Sequence, residues 1–236
     1  IATVEMTSGL VDSGTGRISI WGLAYANNQA NPGLVLHRTD NTADTTIYSA
    51  NRTAQAITIF GDSRPSTSIN SDGIAAVGYA PLSTRWGYTS THIIASGLRD
   101  SADPVNRPGG GITIVGYGAN VAGTSGANGI VWQWADAIAK DGPITMSGYD
   151  FDPAGSNASA GIYIGQDNAS TVSRFGAWTL WNTANVGTYT DLAGNIIDMT
   201  TSSSNITLNA TKFVFLEYGS GVMVEGYQFK TTGDIT

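Results

Sequence analysis

The sequence predicts an all-β protein, made of elongated or sandwich-like β domains with at most one or two short helices. Charged residues make up only 12% of its 236 positions, about half the usual share, so the Glu, Lys and Arg stock of long helices is thin. Gly, Ser, Thr, Asn and Ala take their place, and such a chain satisfies its backbone through strand ladders and ordered turns. Short apolar-alternating runs bounded by Gly, Asn, Asp or Pro also recur along nearly the whole length, each reading as a strand and a turn.

Disorder is excluded by the same composition. Hydrophobic residues fill 41% of positions, with six Trp, ten Tyr and six Phe, enough apolar surface to offset the entropy of folding. The strand runs, in order, are residues 17–25 (RISIWGLAY), 33–37 (GLVLH), 56–60 (AITIF), 111–115 (GITIV), 143–147 (PITMS), 161–164 (GIYI), 176–181 (GAWTLW) and 205–209 (NITLN). Four of them share Ile-Thr-aliphatic: Ile57-Thr58-Ile59, Ile112-Thr113-Ile114, Ile144-Thr145-Met146 and Ile206-Thr207-Leu208. Their uneven spacing argues against a strict solenoid repeat, and the shared residues read as ordinary strand formers.

Two segments compete as helices. In residues 131–140 (VWQWADAIAK), Trp134 and Ile138 fall four apart before an Asp141-Gly142-Pro143 stop, the pattern of a short helix. Trp132 and Trp134 would equally share one face of a strand, so the segment reads both ways. A second short helix is expected at residues 74–79.

Three regions are expected: an N-terminal β region (1–105), a Gly/Trp-rich β domain that is the candidate binding region (106–200), and a C-terminal β-hairpin segment (201–236). The first boundary rests on SADPVNRPGGG (101–111), with two prolines and three consecutive glycines. The second follows the Ser/Thr run at 200–204. Beyond it, Phe213, Phe215 and Glu217 alternate with Val214, Leu216 and Tyr218, and a strand apolar on both faces expects cover on both. Residues 222–229 are expected to pair back as a hairpin after Gly219-Ser220-Gly221, with neighbouring copies supplying the cover.

The net charge of −7 and a pI near 4.5 leave no cationic surface for nucleic acid. No apolar run approaches the roughly 20 residues of a membrane-spanning helix. Cysteine is absent, so no disulfide contributes to stability.

Chemistry-bearing candidates are few. AITIFGDS (56–63) ends a strand in Gly-Asp-Ser and is similar to the way GDSL-type hydrolases present a nucleophile, but Ser63 lacks the downstream Asp-x-x-His of that family; the two histidines are His37 and His92. Glycoside hydrolysis would need a carboxylate pair, for which Asp150 with Asp152, or Glu217 with Glu225, are the candidates; the Asp residues of YDFDPAG read more simply as turn caps. DFDPAGSN (150–157) is oxygen-rich but lacks EF-hand spacing. No catalytic residue, metal ligand or cofactor is therefore assigned. For binding, the aromatic residues Trp132, Trp134, Tyr149, Tyr163, Trp178 and Trp181 offer flat apolar faces for sugar rings, beside the hydrogen-bonding Asp150 and Asp152. At least half of these rings are expected in the core.

The last eight residues, FKTTGDIT (229–236), resemble the segment that precedes the self-cleaving intramolecular chaperone domain of bacteriophage tail fibres and endosialidase tailspikes. WTLWNTANV (178–186) is similar to a segment common in tail fibre proteins, with Asn182 and Ala184 where those usually carry His and Gly. Together the two stretches cover under a tenth of the chain. The resemblance implies a homotrimeric β fibre of the virion, assembled in the host cytoplasm with other tail proteins. It would recognise a cell-surface polysaccharide or outer-membrane protein without being an enzyme. A polysaccharide-degrading tailspike and a purely structural virion fibre are the alternative readings.

Overall fold

The structure is a computed structural model that describes residues 4–25, 31–37, 44–68, 71–77, 91–120, 127–133, 135–151, 159–165, 173–176, 188–216 and 227–236. Every helix or strand among them is a strand, as the composition predicts. The strands come in triplets, each triplet one turn of a parallel β-solenoid. The first three turns carry β1 (Val4–Thr7), β2 (Leu10–Asp12) and β3 (Ile18–Leu23); β4 (Leu34–His37), β5 (Thr45–Ser49) and β6 (Ile57–Asp62); then β7 (Ile74–Val77), β8 (Thr91–Ala95) and β9 (Ile112–Tyr117). A fourth has β10 (Ile130–Trp132), β11 (Ala135–Ala139) and β12 (Ile144–Tyr149). In the fifth, β13 (Ile162–Gly165) and β14 (Ser173–Gly176) are followed by an antiparallel hairpin, β15 (Thr188–Thr190) with β16 (Ile196–Asp198), before β17 (Ile206–Ala210) completes the turn. Strands β18 (Phe213–Leu216) and β19 (Tyr227–Lys230) belong to a sixth turn, from which Ile235 bridges Ile206 in parallel.

Equivalent strands of successive turns pair in parallel and form three sheets. The first runs β1-β4-β7-β10-β13-β18, the second β2-β5-β8-β11-β14-β19, and the third β3-β6-β9-β12-β17. Register along the third sheet sets Ile18, Ile57, Ile112, Ile144 and Ile206 in one column. Ile20, Ile59, Ile114, Met146 and Leu208 make the next column. Both columns join the central core, where they meet Leu34, Ile74, Ile130 and Ile162 of the first sheet and Ile47, Ile93 and Phe175 of the second. Each fully buried Ile or Leu contributes about 1.5–3 kcal/mol from leaving water.

The Ile-Thr-aliphatic motif is therefore a rung of a solenoid after all, which corrects the reading drawn from its uneven spacing. Turns of unequal length sit between rungs that superpose in space, so the period is lost from the sequence and kept in the register. The Thr residues of the motif, Thr58, Thr113, Thr145 and Thr207, form the column facing outward.

Two places further along, the first four rungs carry a glycine, Gly22, Gly61, Gly116 and Gly148, and the fifth carries Ala210. At this corner the third sheet gives way to the first sheet of the next turn. A Cβ on Gly61 would stand 2.0 Å from the carbonyl oxygen of Gly73, and one on Gly116 would stand 2.1 Å from that of Gly129. No side chain fits at those two glycines.

Several sequence expectations change. Residues 74–77 are strand β7 where a short helix over 74–79 is expected, and the described part of the ambiguous segment 131–140 holds two strands, β10 and β11. The C-terminal hairpin is replaced by stacking: β18 pairs in parallel with β13 and β19 with β14, rather than with each other. The sheets coil about one core instead of facing each other as a sandwich. Ladders also cross both expected boundaries, since β8 before residue 105 pairs with β11 after it, and β12 before residue 200 pairs with β17 after it.

Strands buried on both faces do occur, in β8 and β11, where every residue is buried. Their cover comes partly from this same chain. Tyr48, Ile94 and Ile138 on the outer face of the second sheet form a second core with Met199, joined by Tyr189 and Ile197 of the inserted hairpin.

Candidate functional site

Outward positions of the third sheet carry a continuous row of aromatic side chains. Trp21 stands directly opposite Phe60 in the register, with ring centroids 4.7 Å apart. Phe60 meets Tyr117 diagonally at 5.6 Å, and Tyr117 stacks on Tyr149 at 5.0 Å with ring planes 14° apart. Phe151 follows, 6.1 Å from Tyr117. Parallel in-register pairing produces this row, because same-face residues on neighbouring strands lie within aromatic reach.

A fixed cation lies on the row. The Arg64 guanidinium sits 4.3 Å from the Tyr117 ring centroid, a cation–π contact. It also donates Nε to Asp62 Oδ1 at 2.9 Å and Nη2 to Asp62 Oδ2 at 2.5 Å. Burial by itself would raise the Asp62 carboxyl; the side-chain and backbone hydrogen bonds from Arg64 outweigh it and hold the group below the ordinary carboxylate range.

Within the row Phe60, Tyr117, Tyr149 and Phe151 are half-buried. Trp21 is the exception. As a residue of the edge strand β3 it has one described ring neighbour in the row, and it is 65% exposed. Leu23 and Tyr25, two and four residues on, are 56% and 69% exposed. Three large exposed apolar side chains, two on the edge strand and one just past its end, form the kind of patch that marks an interaction surface.

Of the residues singled out from the sequence, Tyr149 is half-buried within this row. Asp150 beside it is committed to a turn: its amide donates to Thr211 Oγ1 at 3.1 Å, and its carboxylate accepts from the hydroxyls of Thr211 and Ser159. Trp132 points into the core, fully buried and 6.1 Å from Phe175; this corrects its reading as a binding residue. Tyr163 lies on the first sheet, opposite Val131, and so on a different face from Tyr149. Trp134, Asp152, Trp178, Trp181, Glu217 and Glu225 lie outside the described residues.

Ser63 is fully buried, its hydroxyl donating to the carbonyl oxygens of Asp72 at 2.6 Å and Asn31 at 3.1 Å. It holds a turn and faces no base among the described residues. His37 contacts Glu5 and Thr7 near the surface. His92 is enclosed between two carboxylates, Nδ1 3.0 Å from Asp136 and Nε2 3.3 Å from Asp44. Burial opposes its charge, but the hydrogen bonds it donates to these carboxylates prevail and raise its pKa to about 9.

The row escapes sequence reading because its members lie far apart along the chain. A signal exists nonetheless: aligning ISIWGL, ITIFGD, ITIVGY and ITMSGY on their Ile-Ser/Thr pairs brings Trp21, Phe60, Tyr117 and Tyr149 to the two outward places that flank the glycine. No family model matches the chain, and no curated protein or solved structure matches it significantly.

Proposed function

We propose that this chain is a host-binding segment of a phage tail fibre, working as a homotrimer alongside other virion proteins, and that the outer face of the third sheet engages a cell-surface glycan. The observation that carries this reading is Trp21, 65% exposed at the end of a stacked aromatic row. A large exposed indole has a free face suited to the C–H face of a sugar ring, while the Thr column and the Asp62–Arg64 pair beside it supply hydrogen-bonding groups. Tyr117, Tyr149 and Arg64 hold the strip rigid, so little side-chain entropy is lost when a partner lands on it. The tail fibre assignment rests on the FKTTGDIT resemblance.

Trp21→Ala removes the open face and leaves the core intact. Adsorption of the protein to host cells is expected to fall at least tenfold, with circular dichroism and thermal midpoint little changed. Undiminished adsorption overturns the site. Adsorption that survives periodate oxidation of host glycans would move the receptor from polysaccharide to an outer-membrane protein. Solution mass tests the trimer, which a stable monomer would refute.

A further inference from the structure

Beneath the inserted β15–β16 hairpin, on the second sheet and away from the aromatic row, lies an open cleft of about 530 Å³. Small-molecule sites run from about 300 to 1,000 Å³. Tyr48 and Ser96 form part of its lining, Leu98 and Lys140 contribute from the body of the solenoid, and Ile196 and Asp198 from the hairpin.

The cleft is formed in advance. Tyr189 stacks on Tyr48 at 4.6 Å, Met199 is fully buried beneath the hairpin, and the Leu192 amide donates to Asp12 at 3.1 Å. Lys140 Nζ donates to Thr201 Oγ1 at 3.0 Å and stands 4.0 Å from Asp198. A ligand would therefore not have to order the hairpin before binding.

Its chemistry selects against anions. Asp198 accepts from Thr200 and faces Lys140, and Asp191 accepts from the amide and side chain of Asn195. Each lining charge thus has a partner, and two carboxylates against one ammonium disfavour an anion. What the cleft still offers is neutral hydrogen bonding, from the Tyr48–Ser96 hydroxyl pair, 2.7 Å apart, and from the ammonium and carboxylate edges. It also offers aliphatic contact, since Leu98 is 49% and Ile196 75% exposed. A ring with hydroxyls on its rim and a C–H face meets both demands.

We infer that the cleft between the β15–β16 hairpin and the second sheet is a separate binding site for a neutral sugar residue. The choice of sugar as the ligand class accords with the glycan-binding function proposed above; the site itself is independent of Trp21. The test is saturation-transfer NMR on the full chain with methyl glycosides of glucose, galactose, mannose and rhamnose at millimolar concentration. At least one is expected to receive saturation, and the signal should fall at least fivefold in Leu98→Asp/Ile196→Asp while Trp21→Ala preserves it. Lys140→Met, which keeps the aliphatic wall, should weaken the signal as well and serves if the double variant fails to fold. Absence of transfer to every glycoside overturns the inference, as does equal transfer to glucuronate or a signal lost in Trp21→Ala alone. If no glycoside binds but Trp21→Ala still abolishes adsorption, the cleft is refuted and the aromatic site stands.

Discussion

The outer faces of the second and third sheets are made by the same coiling and have opposite fates. On the third sheet the outward columns are Thr and aromatic residues that meet water, whereas on the second sheet the outward residues His92, Ile94, Asp136 and Ile138 are buried. A solenoid strand always has one face in the central core. Whether the other face becomes a second core depends on what the intervening chain folds over it, here the β15–β16 hairpin inserted before β17. The uncovered face remains available for recognition.

If the rungs superpose as described, the corner glycines should be the most sensitive positions. Gly61→Val would drive a side chain into the backbone at Gly73 and is expected to cost more than about 3 kcal/mol by urea denaturation. A loss below about 0.5 kcal/mol would break the rung geometry common to both faces.

Next in size is the buried charge that distinguishes the second sheet. His92→Ala leaves the buried Asp136 carboxylate facing Asp44 without the imidazolium, and is expected to cost about 3–5 kcal/mol. His37→Ala, at the surface, should cost under about 1 kcal/mol. The wild-type advantage over His92→Ala should be complete below pH 6.5, the ordinary histidine value, and decline as pH rises through about 9, because the raised folded-state pKa favours the charged form. A gap between the two proteins that widens from pH 7 to pH 10 would contradict the charge assignment.

Tyr189→Ala removes the ring that stacks on Tyr48 and should cost about 1–3 kcal/mol while loosening the hairpin. Faster hydrogen exchange confined to β15, β16 and the outer residues of β5, β8 and β11 would sharpen the contrast between the faces; unchanged exchange would remove it.

The smallest effect concerns the corner itself. Burial raises the Asp72 carboxyl to about 6, despite hydrogen bonds from Asn128. The protonated form is favoured in the fold, so this group contributes most below pH 3.8 and loses that contribution as pH rises to about 6. Asp72→Asn should therefore raise the thermal midpoint by a few degrees at pH 8 and by less at pH 4. A larger gain at pH 4 would reverse the sign.

Much of the strand inventory is legible in the sequence. RISIWGLAY, GLVLH, AITIF, GITIV, PITMS, GIYI and NITLN each contain a strand, because alternation and turn residues act locally. Trp132 illustrates the limit. Its neighbours suggest a binding aromatic or a helix, and only the packing of β10 against the core assigns it to the interior. The aromatic row was likewise hidden, since Trp21, Phe60, Tyr117 and Tyr149 line up only after several turns have wound.

Composition and local pattern alone determined that this chain is rich in β-strands, that its Ile-Thr segments are strands, and that its glycines punctuate them. Tertiary structure decided that those strands pair in parallel with turns far away in sequence, which residues share a column, and which face is covered. The physical reason is that pairing along a strand depends on adjacent residues, while coiling depends on loop closures whose entropy changes only slowly with length. Turns of very different length can therefore bring the same rung into register, and the sequence carries no period that would announce it.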